Sequence, residues 1–309
     1  MNSCEHFSTT LLKDIAYPHL EVKTMEQIAI CEAKESSPLL ICTKAEAQKK
    51  TCASLLSENP RLDVGPRFKF SRLKLVVASP RNVGNYYCDY KNQLKSNVGT
   101  AKEGIQHVRS AARCDPRLRV IEICGSGDAL ASAATFEILR KVRAEFPHFT
   151  TSVVTNGLLL PKKLADLQDL GVNAVKVEVN AVDTEVGAQI YSYIRLNGKT
   201  LRGKEAFEVL SINQLEGLRN AADAGMMVEV DAAYIPGVNS EHLREVAKVV
   251  RSLGAYVVNV VPLPQNWRFA GLGAPSAEEM AQIRRDCEDV CASEVLLHIS
   301  PEASINFSA

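Results

Sequence analysis

The sequence predicts an α/β protein, a wide or incomplete barrel of six βα units that follows an N-terminal extension. Two observations carry this. Six strand-like segments alternate with helical ones between about residue 70 and residue 290, which argues for parallel βαβ units. Three of those strands alternate apolar with charged or amide side chains, where strands covered by helices on both faces would be almost wholly apolar.

Residues 1–58 carry no motif. Short helical stretches are expected at 5–20 and 23–37, and a better one at 44–60, so this part is treated as an extension. LKLVVAS (73–79) is the first strand and GTAKEGIQHVRSAARC (99–114) has helical spacing. RVIEICGSG (119–127) reads as a strand entering a Gly-rich turn, and ASAATFEILRKVRAEF (131–146) as a helix. TTSVVTNG (150–157) is a strand; PKKLADLQDLG (161–171) is a helix opened by proline and closed by glycine. NAVKVEVNA (173–181) is the fourth strand, followed by a long connection and the helix SINQLEGLRNAADAG (211–225). MMVEVDAAYIPG (226–237), SEHLREVAKVVRSLG (240–254) and YVVNVVPLP (256–264) are strand, helix and strand, and SAEEMAQIRRDCEDV (276–290) is a last helix.

Side chains alternate across a strand. In the fourth strand Val175, Val177 and Val179 share one face, and Lys176, Glu178 and Asn180 the other. Val228 and Val230 oppose Glu229 and Asp231, and Asn259 opposes Val258 and Val260. An ordinary closed barrel fills its centre with branched apolar residues. For any one of these charges a neighbouring ion pair is the plainer role. For the set, a lumen that holds water or a polar ligand is the better account.

Composition narrows the function. Hydrophobic residues make up 46% and charged residues 23%, and 36 Lys+Arg balance 36 Asp+Glu, so no net field points to nucleic acid or an anionic membrane. No apolar run approaches a membrane span and no secretory signal is evident. With nine irregularly spaced cysteines, this predicts a cytoplasmic protein with mostly free thiols. Cys287 and Cys291 lie one helical turn apart, without further ligands near, and read as two thiols on one helix face.

Five blocks then carry a resemblance. GSGDALA (125–131), TTSVVTNGLLLP (150–161), VNAVDTEVGAQIYSYI (179–194), AAYIPGVNSEHLREVAKVVRSLGAYVVNVVPL (232–263) and RFAGLGAPSAEEMAQIRRDCE (268–288) resemble the NifB family, radical S-adenosylmethionine (SAM) proteins of nitrogenase cofactor biosynthesis. The likeness covers roughly 59–309. It implies a partial (β/α)6 TIM-like barrel of the radical SAM type, with a [4Fe–4S] cluster and SAM at the C-terminal mouth of the strands.

The same resemblance exposes departures. The family's C-x3-C-x2-C triad falls on Arg81, Asn85 and Cys88. Its His-Pro-Cys falls on Asn59-Pro60-Arg61, a further cysteine near Leu94, and its His-Cys-x-x-Cys on His298 to Glu302, with Ile299 and Glu302 in place of the cysteines. Thiolates hold such clusters. Arginine presents only donors and cannot ligate iron. No [4Fe–4S] cluster and no metal are therefore expected, and Cys88 reads as a structural thiol.

The SAM-facing elements are kept better. The resemblance places Ser126, Gly127 and Asp128 at the family's Gly-Asp-Pro turn, with Ala129 for the proline, and Asn156, Asn180 and Pro236-Gly237 around the cofactor. Weak SAM binding is expected, with the Asp128 acceptor on the ligand ammonium, amides from Asn156 and Asn180, and Arg81 on the carboxylate. The lumen candidates are Glu122, Lys176, Glu178, Glu229 and Asp231; by the resemblance, Lys176 and Glu178 replace the family's threonines, and Glu229-Val230-Asp231 its Lys-Val-Asn. Arg81 is expected to fill the vacated space as a cation near Glu178 or Asp231. The expected function is a non-radical binding or accessory protein, with nitrogenase cofactor assembly proteins as partners. The alternatives are a non-radical enzyme that uses the lumen carboxylates, a SAM-binding member with residual activity, or a decayed copy.

Overall fold

The structure is a computed structural model that describes residues 70–87, 96–262, 275–288 and 296–298. Expectations placed on residues 1–58, Asn59, Arg61, Cys88, Leu94, Cys291, Ile299 and Glu302 lie outside the described residues.

The elements, in chain order, are β1 (Ser71–Val77), β2 (Val83–Asn85), α1 (Ala101–Cys114), β3 (Leu118–Gly125), a 3-10 turn (Ala129–Ala131), α2 (Ala133–Glu145), β4 (Thr150–Thr155), α3 (Leu160–Asp169), β5 (Ala174–Glu178), α4 (Thr184–Ile190), β6 (Tyr191–Leu196), β7 (Lys199–Arg202), α5 (Gly203–Asp223), β8 (Met227–Tyr234), α6 (Leu243–Ser252), β9 (Val257–Pro262), α7 (Ala277–Glu288) and β10 (Leu296–His298). None of the described helices is long and apolar enough to cross a membrane.

The main sheet has seven strands in the order β1-β3-β4-β5-β8-β9-β10. Every neighbouring pair in it is parallel. The order never reverses, whereas a doubly wound sheet changes direction at a switch point. Right-handed crossovers in one direction place all helices on one side, which is barrel winding. Among the described residues β1 does not pair with β10, so the barrel is partial. All six expected strands are present, and β10 is a seventh.

The two strand faces separate as the alternation requires. Val175, Val177, Val179, Val228, Val230, Val258 and Val260 are each at most 1% exposed and pack in the main core under the helices. Their neighbours in the chain face the lumen, and the register aligns them: Lys176 beside Glu229, and Glu178 beside Asp231 beside Asn259. Local signals end the elements as expected. Thr100 and Glu103 form a capping box on α1, proline sits in the first turn of α3, and Gly171 after it adopts φ +70°.

The long connection after β5 turned out to hold structure of its own. β2, β6 and β7 form a second, antiparallel sheet. Asn197 and Gly198, at φ 50° and 77°, turn β6 into β7. That is the Asn-Gly pair of a type I′ hairpin, and it was a readable signal. The helix that follows begins at Gly203, eight residues before the expected start, because Lys204–Leu210 is already a favourable helical run.

This sheet packs on α4 and α5 through a second core. In it Tyr191 stacks on the fully buried Phe207 at 5.6 Å between ring centroids. A Cβ on Gly187 of α4 would lie 2.3 Å from the Phe207 ring. Gly187→Ala is therefore expected to lower stability by about 1–3 kcal/mol, read as a lower urea midpoint at unchanged slope. An unchanged midpoint would show that Phe207 has room to move.

Candidate functional site at the barrel mouth

The loop after β1 is strapped to the turn after β3. Ser126 N donates to Val77 O at 3.0 Å, Asp128 N to Pro80 O at 3.2 Å, and Gly127 N to Ser79 Oγ at 2.9 Å. A Cβ at position 127 would lie 2.3 Å from the Pro80 carbonyl oxygen, so only glycine permits this approach.

Asp128 is 1% exposed. Its carboxylate accepts from Asn82 Nδ2 at 3.0 Å, Thr155 Oγ1 at 2.7 Å and Leu130 N at 3.3 Å. Burial pushes its pKa up, and the Thr155 and Asn82 hydrogen bonds oppose that shift. Asn82 also accepts from Asn156 Nδ2 at 2.7 Å, while Asn156 Oδ1 accepts from Leu158 N at 3.1 Å. Asn180 is fully buried. Its Nδ2 lies 2.8 Å from Tyr87 Oη, 2.9 Å from Glu178 Oε1 and 3.0 Å from Tyr191 Oη, and its Oδ1 accepts from Ala233 N at 2.7 Å.

These contacts qualify the ligand roles expected from sequence. Asp128 was to meet an ammonium, and Asn156 and Asn180 were to offer amides. In the structure all three side chains hold protein groups instead, and together they tie the ends of β1, β3, β4, β5 and β8. Asn82, Thr155, Tyr87 and Tyr191 complete this network. No motif singled them out, because each matters only through a partner far away in the chain.

The lumen charges are brought together as a set. Lys176 Nζ lies 3.2 Å from Glu229 and 3.8 Å from Asp231, and Asn259 Nδ2 donates to Asp231 at 2.7 Å. Glu122, deeper in the lumen, pairs with Arg72 at 3.2 Å. The Asp231 side chain is 33% exposed, but to the lumen, and the surrounding protein still raises its pKa; Lys176 draws it back. Burial raises Glu178 to about 7, the Asn180 hydrogen bond opposes this, Asp231 adds to it, and the positive charge of Arg81 pulls it down.

Asn85 is the last residue of β2 and pairs with Tyr191. Tyr86 N donates to Ile190 O at 2.8 Å and Arg195 N to Asn82 O at 2.7 Å, so the segment aligned with the cluster loop is held as a strand. The cysteines among the described residues do not offer a substitute. Cys114 is exposed on α1 and Cys287 is buried in the main core. Cys124 is buried with its thiol pushed up to about 11, which disfavours the thiolate that a metal needs. No group of three or more His, Cys, Asp and Glu among the described residues is arranged to hold a metal ion. The donor set described does not fit an iron–sulfur cubane. A groove of about 790 Å³, lined in part by Phe136, Arg140, Lys163 and Asp166, lies between α2 and α3 on the helical layer rather than in the lumen.

Comparison with known proteins agrees with this architecture. Residues 86–250 match the model of the radical SAM superfamily. The chain is 35% identical to the FeMo cofactor biosynthesis protein NifB of Klebsiella pneumoniae over 72% of its own length and 51% of that protein's, so it spans about half of this relative. It is 30% identical to the NifB of Methanocaldococcus infernus, over 76% of this chain and 80% of that one. Among solved structures, Streptococcus suis SuiB superposes with a TM-score of 0.53 at 15% identity, over 87% of this chain and 56% of that one. Methylornithine synthase (PylB) superposes with 0.52 at 14%, over 89% and 74%. Those two likenesses concern the fold. A singly wound parallel sheet, a family model over more than half the chain and a relative matched over most of its length lead to one statement: the chain belongs to the radical SAM superfamily and, within it, to the NifB family.

Proposed function

We propose that this chain is a NifB-family protein that works without a [4Fe–4S] cluster, as a non-radical binding or accessory protein of FeMo cofactor assembly in the cytoplasm. The observation that carries the reading is the replacement at the mouth. Arg81 stands at one position aligned with a family ligand, and Asn85, at another, is built into β2. A guanidinium cannot ligate iron, and its charge repels cationic iron from the place it occupies.

The ligand proposed for the mouth is SAM or a relative of it, held weakly. The strapped turn Gly125-Ser126-Gly127 supports this, because its backbone is partly exposed beside the lumen. The proposed partners are other cofactor assembly proteins. A second reading, non-radical acid–base chemistry, is favoured by one observation: Glu178, near pKa 7, lies among fixed charges in a polar lumen.

Anaerobic reconstitution with iron and sulfide tests the central reading. Iron well below one per chain and no broad visible band are expected. About four irons per chain together with SAM cleavage would overturn it.

A further inference from the structure

We infer that the outer face of the β2-β6-β7 sheet is a docking surface for an acidic segment of another protein chain, whose carboxylates pair with Arg195 and Arg202 around Tyr193. The inference rests on the reading of this chain as a binding protein, and not on the absence of a cluster.

An irregularity in the ladder builds the face. Gly84 pairs with Tyr193 and Asn85 with Tyr191, so β6 carries one extra residue there, Ser192. A bulge of this kind reverses the alternation of side chains. Tyr191 therefore joins Ile194, Leu196 and Leu201 in the second core, while Tyr193 turns outward with Arg195. On β7, Arg202 stands opposite Tyr193 and Thr200 opposite Arg195. Tyr193 is half-buried, and Arg195, Thr200 and Arg202 are exposed. A Cβ on Gly84 would lie 2.2 Å from the Tyr193 ring, so the ring rests directly on the glycine backbone.

Both guanidiniums gather on that ring. Arg195 Cζ is 5.0 Å and Arg202 Cζ 5.8 Å from its centroid. An arginine held by an aromatic ring keeps its in-plane N–H donors for a partner, and these match a carboxylate two at a time. Arg72, Arg109 and Arg117 each pair with a carboxylate, whereas neither Arg195 nor Arg202 does so among the described residues. Two like charges thus share one ring, and carboxylates relieve their repulsion. Tyrosine and arginine are also the side chains on which protein partners most often anchor.

Two observations favour a protein segment over other anions. The 36 Lys+Arg of the chain balance 36 Asp+Glu, so no long-range positive field awaits a nucleic acid. The arginines are exposed on a sheet face, where a small anion stays mostly in water, whereas a chain segment brings several carboxylates at once. Arg195 N donates to Asn82 O at 2.7 Å and Asn82 Nδ2 to Asp128 at 3.0 Å, so a docked segment lies beside the mouth.

The test measures fluorescence anisotropy of labelled octaglutamate with the full chain at low salt. Arg195→Gln and Arg202→Gln are each expected to weaken binding roughly three- to tenfold. Tyr193→Leu keeps every charge and weakens it too, because the guanidiniums lose their support. The pair Arg140→Gln and Lys141→Gln, on exposed positions of α2, leaves it unchanged. Sodium chloride at about 0.5 M weakens it. Octaglutamate that fails to bind, or that responds as much to the α2 pair as to the Arg195 and Arg202 variants, overturns the inference. So does equally tight binding of octathymidylate or of inorganic phosphate, each measured by competition. Iron content after reconstitution keeps the two readings apart. Iron-replete protein that binds octaglutamate overturns only the cluster-free reading, and iron-free protein that does not bind it overturns only the docking surface.

Discussion

Asp128→Ala is expected to destabilise the protein by about 3–5 kcal/mol, the largest single-residue effect anticipated at the mouth. The substitution removes an acceptor that is 1% exposed and strands two donors, Asn82 Nδ2 and Thr155 Oγ1, in buried surroundings. Each unsatisfied buried group costs about 1–3 kcal/mol. The loss spreads, because Asn82 also holds Asn156 and because the Leu130 N–H loses its cap. Asp128→Asn keeps an acceptor for Thr155 but sets an amide donor against that of Asn82, so it should fall between Ala and wild type. Urea unfolding at constant slope measures both. If Asp128 served a ligand instead, Asp128→Ala would keep wild-type stability and lose only binding.

Glu178→Gln is expected to act in the opposite direction. The folded protein holds this carboxyl at about 7 against an ordinary 4.5, so the folded state prefers it protonated. Between those values the folded state binds more protons than the unfolded one, and stability contributed by Glu178 falls as pH rises through that window. Above pH 7 the full penalty applies. At about 1.4 kcal/mol per unit it reaches at most about 3 kcal/mol, less because the side chain is partly open to the lumen. The glutamine variant, whose amide oxygen can still accept from Asn180, should therefore be more stable than wild type by about 2–3 kcal/mol at pH 8. The two should nearly converge at about pH 4, below the ordinary value of 4.5. A difference independent of pH would mean that Glu178 is not held protonated in the fold.

The sequence determined the main sheet and the polarity of the lumen by itself. Both follow from a local rule: consecutive strand side chains point to opposite faces, so Val175 and Val177 go under helices and Lys176 and Glu178 go inward whatever else the chain does. The five quoted blocks were also sufficient to reveal the NifB family, because long runs of agreement are properties of the chain and not of its folding. The antiparallel sheet was half legible. The Asn197-Gly198 turn announced a hairpin, but β2, like β10 at the edge of the main sheet, has only three residues, too few for any period to emerge. Only the tertiary structure decided what the mouth residues touch. Asn82 meets Asp128 across 46 positions and Asn156 across 74, and Tyr87 meets Asn180 across 93. Whether a buried amide faces a ligand or another side chain depends on such distant partners. Most buried polar groups find one, and in this protein Asp128, Asn156 and Asn180 find theirs within the chain.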